Sequence, residues 1–99
     1  MFYRLHSSAG NTVGIDDYLG YLEIGDNGYC RRYVEIRADG TALRYSADHE
    51  ADGLGQLPEG PWDDDEAGQR EYGAVLPISR ELFEAVWRLT RCVNESADP

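Results

Sequence analysis

Between Gly20 and Ala47, apolar positions cluster in three segments carrying Tyr21, Leu22 and Ile24, then Tyr33, Val34 and Ile36, then Leu43 and Tyr45. Asn27-Gly28 and Asp39-Gly40 separate them. Both dipeptides tolerate positive φ at the centre of a tight turn, so the spacing predicts a three-stranded antiparallel meander. A two-residue loop at Asp39-Gly40 sets Ile36 opposite Leu43, Glu35 opposite Arg44 and Val34 opposite Tyr45. In that register Val34, Ile36, Leu43 and Tyr45 share one face, and Glu35 and Arg44 form an ion pair on the other. The same loop length at Asn27-Gly28 sets Leu22 opposite Tyr33 and turns Leu22 and Ile24 away from Val34 and Ile36. An odd-numbered loop, or a bulge between Cys30 and Arg32, is therefore expected in the first hairpin. Arg31 and Arg32, adjacent on a strand, point to opposite faces.

Residues 79 to about 93 switch to helical spacing, with Leu82, Val86, Leu89 and Val93 as the stripe and Phe83, Trp87 and Thr90 widening it. Ser79 is the expected N-cap, since its hydroxyl can accept a backbone N–H that the first turn leaves unpaired. Phe2 to His6 and Tyr72 to Leu76 are weaker strand candidates. The expected architecture is α+β: a single domain over residues 1–99, with an antiparallel sheet of three to five strands and the C-terminal helix packed on one face. Asn94 to Pro99 is expected to fray.

Residues 46–72 have no periodicity, and this is where charge changes the picture. The chain carries 19 Asp and Glu against nine Arg, with no Lys, for a net charge of −10. Residues 46–72 hold nine acids and one base, so −8 of that charge lies in one long loop. A long aperiodic loop in a small domain is usually functional or disordered. The acidic balance disfavours direct nucleic-acid or anionic-membrane binding. No apolar run approaches the roughly 18 residues that cross a bilayer, and the first residues lack a basic-then-apolar export pattern. A cytoplasmic location follows as an expectation, with Cys30 and Cys92 as free thiols.

No catalytic constellation stands out. Neither cysteine has a neighbouring base, His6 and His49 join no zinc-like spacing, and Asp63-Asp64-Asp65-Glu66 lacks the ligand offsets of a calcium loop. No catalytic residue, metal or cofactor is assigned, and enzymatic activity is not expected. Asp63, Asp64, Asp65 and Glu66 are instead read as charges that steer a basic protein partner. Tyr29 and Tyr33, which share the outward parity of Tyr21, are candidate contact anchors together with Trp62; the competing reading of this tyrosine face is that a second layer, such as the N-terminal segment, covers it. Trp62 has a competing reading as an anchor that packs the loop on the domain.

The stretch Tyr21-Leu22-Glu23-Ile24-Gly25-Asp26-Asn27-Gly28-Tyr29-Cys30-Arg31-Arg32-Tyr33-Val34-Glu35-Ile36, followed by Asp39-Gly40 and Tyr45-Ser46-Ala47, resembles a family of small bacterial domains with no assigned activity. Leu54-Gly55-Gln56-Leu57-Pro58 and Ile78-Ser79-Arg80-Glu81-Leu82-Phe83-Glu84-Ala85-Val86-Trp87 continue the resemblance. Gly25 departs from it at an acidic position and Tyr33 at a basic one. The resemblance implies an α+β fold without established catalytic residues. Some domains of this size and setting are similar to immunity proteins of bacterial toxin systems. The functional expectation is an acidic module that neutralises a basic partner such as a toxin nuclease. A phage-type inhibitor that mimics nucleic acid and a small-ligand module are the alternatives.

Overall fold

Both glycine turns form, and each is one residue longer than the tightest hairpin. The computed structural model describes residues 1–7, 18–65 and 74–94. Gly28 (φ 85°) and Gly40 (φ 89°) take the left-handed conformation that closes a three-residue loop. In the first loop, Asp26-Asn27-Gly28, Gly25 N–H donates to Tyr29 C=O at 2.9 Å; in the second, Ala38-Asp39-Gly40, Arg37 N–H donates to Thr41 C=O at 2.8 Å. Asn27 and Asp39 brace these loops by accepting the backbone N–H two residues ahead, on Tyr29 at 3.1 Å and Thr41 at 2.8 Å.

The strands are β1 (Phe2–Ser7), β2 (Tyr18–Ile24), β3 (Cys30–Arg37), β4 (Ala42–Ser46) and β5 (Ala74–Pro77), followed by the helix α1 (Arg80–Leu89). They form one antiparallel sheet in the order β4-β3-β2-β1-β5. The α+β expectation, with five strands and a C-terminal helix, therefore holds. Both irregularities anticipated for the first hairpin are present. Its loop is odd, and a bulge lets the register pass from Ile24 opposite Cys30 to Glu23 opposite Arg32, leaving Arg31 unpaired. The two one-residue offsets cancel, so Leu22 still faces Tyr33. Leu22 and Ile24 are not returned to the face of Val34 and Ile36.

The second hairpin has no compensating bulge, and this corrects its expected register. Ile36 faces Ala42, Val34 faces Arg44 and Tyr33 faces Tyr45. A one-residue slip exchanges the faces of a strand, so Leu43 and Tyr45 lie on the side opposite Val34 and Ile36. The expected Glu35–Arg44 pair does not form. Glu35 instead accepts from Tyr33 Oη at 2.9 Å and Arg37 Nε at 2.8 Å.

The sheet consequently has two buried faces. On one, Val34, Ala42 and Cys92 pack with Tyr21, Ile36, Val86 and Trp87 beneath α1. On the other, Leu22, Ile24, Cys30, Tyr33, Leu43 and Tyr45 pack with Phe2, Leu57 and Trp62. The second cover is the described part of the acidic loop. Cys30 and Cys92 are buried thiols that form no disulfide, in clusters on opposite sides of the sheet.

Ser79 caps α1, its Oγ accepting from Leu82 N–H at 3.0 Å. The helix ends at Leu89 rather than Val93, and its buried line runs along the Phe83, Val86 and Trp87 side of the expected stripe, rotated away from Leu82 and Leu89. Phe83 is fully buried, whereas Leu82 is 44% exposed and Leu89 71% exposed. Phe83 lies against Tyr3 at 5.4 Å and Trp87 at 6.2 Å between ring centroids. Arg32 completes this packing from the sheet, its guanidinium 5.0 Å from Phe83 and 5.1 Å from Trp87. Asn94, expected in a frayed tail, is anchored: its amide accepts from Arg44 N–H and donates to Arg44 C=O, both at 2.9 Å. Residues 95–99 lie outside the described residues.

Candidate functional site

The described part of the acidic loop contains Asp48, Glu50, Asp52, Glu59, Asp63, Asp64 and Asp65 and no Arg. Like charges in a flexible segment would hold it off the sheet, so attachments must offset that repulsion. The loop has two kinds. Leu57 and Trp62 insert apolar surface into the cluster formed by Leu22, Tyr33, Leu43 and Tyr45. Trp62 N–H donates to Gly28 C=O at 2.7 Å, which ties the loop to the first turn, and within the loop Leu57 N–H donates to Glu50 C=O at 2.7 Å.

Asp64 and Asp52 bond to groups elsewhere in the fold, and Asp63 accepts from Asp65 N–H at 2.9 Å. Asp64 accepts from Arg4 Nε and Nη2 at 2.9–3.0 Å and from the Trp62 indole. The Arg4 guanidinium, and secondarily the indole N–H, holds the Asp64 carboxyl below its usual pKa range. Asp52 Oδ1 accepts from Tyr45 Oη at 2.9 Å, Leu54 N–H at 2.8 Å and Gly55 N–H at 3.1 Å. Its Oδ2 lies 2.8 Å from His49 Nε2 and accepts from Asn94 Nδ2 at 3.1 Å. The His49 bond foremost, then those of Asn94, Leu54 and Tyr45, drive the Asp52 carboxyl far below the ordinary carboxylate range.

A carboxyl with a depressed native pKa stabilises the fold fully above its unfolded pKa, near 3.8 for Asp52, and loses that contribution as pH falls toward the native value. Stability measured by urea unfolding should therefore fall between pH 4 and pH 2 more steeply for the wild type than for Asp52→Asn. The variant should be the less stable protein at pH 7. Parallel pH profiles would refute the role given to Asp52.

Asp48, Glu50, Glu59, Asp63 and Asp65 are exposed. Asp48 and Glu50 line a cleft of about 570 Å3 between the loop and the β2–β3 hairpin, together with Asp26, Tyr29, Arg31 and Leu57. Tyr29 is 49% exposed at this cleft and bridges to Pro61, which brings it beside the acidic run. The bridge joins Tyr29 to the loop just before Trp62, but Trp62, Asp63, Asp64 and Asp65 do not line the cleft: Trp62 and Asp64 are held toward β1 by His6 and Arg4. Glu66 lies outside the described residues, as do residues 67–72 of the long loop.

Tyr33 does not line the cleft either. It is 6% exposed, covered by the loop, and its ring lies so close to Gly20 that a Cβ there would approach within 2.8 Å. Burial pushes its hydroxyl pKa up, and Glu35 occupies it. It does lie on the face opposite Val34, but that face is a second interior, and Tyr21, expected to share its parity, instead faces Val34 and packs beneath α1. Trp62 is half-buried and is held by Asp64 and by an edge contact with His6 at 6.1 Å between centroids. It anchors the loop. Asp26, Asp48 and Glu50 join the site without having been singled out in the sequence, where only their number in turn and loop segments marked them.

The Cys30 thiol is pushed up to about 12 by burial, so it carries little thiolate at neutral pH. Among the described residues no three of His, Cys, Asp and Glu gather as a metal site, and no helix is long and apolar enough to cross a membrane. Comparison with protein-family models, with curated proteins and with solved structures finds no match.

Proposed function

We propose that this chain is an acidic protein-binding module that docks a basic protein surface, most concretely as an inhibitor or immunity protein that covers the cationic cleft of a toxin nuclease. One observation carries the reading. A loop segment with seven acids and neither Arg nor Lys is pinned to the sheet through Asp52, Asp64, Leu57 and Trp62, while Asp48, Glu50, Glu59, Asp63 and Asp65 are exposed, the first two lining the cleft with Tyr29. Pinning removes part of the ordering entropy that binding would otherwise cost. Exposed charges of one sign accelerate association with an oppositely charged cleft and orient it, and an exposed tyrosine adds contact area.

The test mixes the purified protein with a basic nuclease domain and measures affinity at low and high salt. Wild-type affinity should fall by about tenfold or more between 50 and 500 mM salt, because exposed charges separated by more than a Debye length are screened. Replacing Asp48, Glu50, Asp63 and Asp65 by their amides should weaken binding at low salt and flatten the salt dependence. Asp52 and Asp64 stay unchanged in this variant because they hold the loop. Binding that responds neither to salt nor to these substitutions would overturn the proposal.

A further inference from the structure

An open sheet has two edges, and each exposes backbone groups on which a further strand can grow. One edge here is β5, only four residues long and ending at Pro77, which has no N–H to offer. The other is β4, whose sequence Ala42-Leu43-Arg44-Tyr45-Ser46 contains no Pro, Gly or Lys. Its only charged side chain, Arg44, is turned under the helix end, where Nη2 donates to Trp87 C=O at 2.7 Å and Thr90 C=O at 2.9 Å. The side chains of β4 thus supply little defence.

The chain closes this edge itself. Ala42 C=O accepts from Val93 N–H at 2.9 Å. The side-chain amide of Asn94 occupies both groups of Arg44 as a neighbouring strand would, accepting from N–H and donating to C=O at 2.9 Å each. Ser46 exchanges both backbone bonds with His49, at 3.1 and 3.0 Å. Asp52 joins the two guards, its Oδ2 taking Asn94 Nδ2 at 3.1 Å and lying 2.8 Å from His49 Nε2.

We infer that Asn94 and His49, tied together through Asp52, form a lock that keeps the edge of β4 from pairing with β4 of a second copy of this chain. The lock lies at the opposite edge of the sheet from β1 and β5 and stands independently of the docking reading. In a purified sample the freed strand meets only copies of itself. Antiparallel pairing of two such edges would join two five-stranded sheets into one.

The variants are Asn94→Ala, which removes the amide, and Asp52→Asn, which keeps the volume and loosens both guards. Amide hydrogen exchange is read at Arg44 and Ser46, and sedimentation velocity is run from micromolar to millimolar protein. The wild type should protect the Arg44 amide and remain monomeric. In dilute Asn94→Ala the Arg44 amide should exchange about tenfold or more faster while the amides of β2 stay protected, which shows that the fold survives. At high concentration the variant should sediment as a dimer and regain Arg44 protection. Asp52→Asn should show the same behaviour in weaker form. Unchanged Arg44 exchange in both dilute variants, or variants that open yet stay monomeric throughout the range, would overturn the inference.

Discussion

Replacing Arg32 by Ala is expected to cost about 3–5 kcal/mol of folding stability at neutral pH, the loss typical of removing one partner from a buried ion pair. Glu23 is 5% exposed, and Arg32 reaches both of its oxygens, through Nε and Nη2, at 2.7 Å. The other side of the guanidinium holds Glu84 on α1 at 3.2 and 2.7 Å, so one residue ties β2, β3 and the helix together. Without it the Glu23 carboxylate is left charged under the helix with only Tyr3 Oη, at 3.2 Å, to meet it. In the wild type, hydrogen bonding to Arg32 holds the Glu23 pKa down, so this contribution is present above about pH 4.5 and fades as acid is added. In Arg32→Ala the sign reverses. The unpaired carboxyl is raised above its unfolded value, so the penalty should shrink as pH falls from 7 to 5. Urea unfolding of both proteins across that range checks the crossover, and parallel curves would show that Arg32 acts through packing alone. Arg32→Lys should restore only part of the stability, because an ammonium cannot present two forks at once.

Phe83→Ala should cost a further comparable sum, about 3–5 kcal/mol, whereas Leu82→Ala one position earlier should cost under about 1 kcal/mol. The contrast tests the rotation of α1 directly. Phe83 is 0% exposed among Tyr3, Arg32 and Trp87, while Leu82 is 44% exposed. Equal losses in chemical denaturation would mean that Leu82 faces the sheet as Phe83 does and that the full width of the expected stripe is buried.

That spacing misled for a physical reason. Leu82 and Leu89 continue the aliphatic line of Val86, but the sheet beneath presents Tyr3, Arg32 and Glu23, which favour the flat rings of Phe83 and Trp87 over further branched aliphatics. Nothing in the helix sequence alone records what it will lie on. Signals complete within a few residues were legible: the glycine turns, the Ser79 cap and the irregular first hairpin. The length of the Asp39-Gly40 loop was not, since Gly in the left-handed conformation serves a two-residue loop and the last place of a three-residue loop equally well. That single residue moved Leu43 and Tyr45 to the opposite face.

The cover of the second interior was hidden for a related reason. It is an aperiodic loop, and Leu57 and Trp62, the apolar residues that seat it, are isolated among acids and glycines. The concentration of charge in the candidate site was visible from composition. Which carboxylates are consumed internally was not, because Asp64 answers to Arg4, 60 positions away, and Asp52 to Asn94, 42 positions away.

The β2–β3 hairpin carries its surplus residues outside the ladder, in the third place of its loop and in the bulge at Arg31. Deleting Arg31 alone should leave Ile24 opposite Cys30 and Glu23 opposite Arg32, with Cys30, Arg32 and Tyr33 still alternating between the two interiors. One-residue changes in length should therefore be absorbed at the loop or the bulge, whereas one inserted between Arg32 and Arg37 would send each later side chain into the wrong interior.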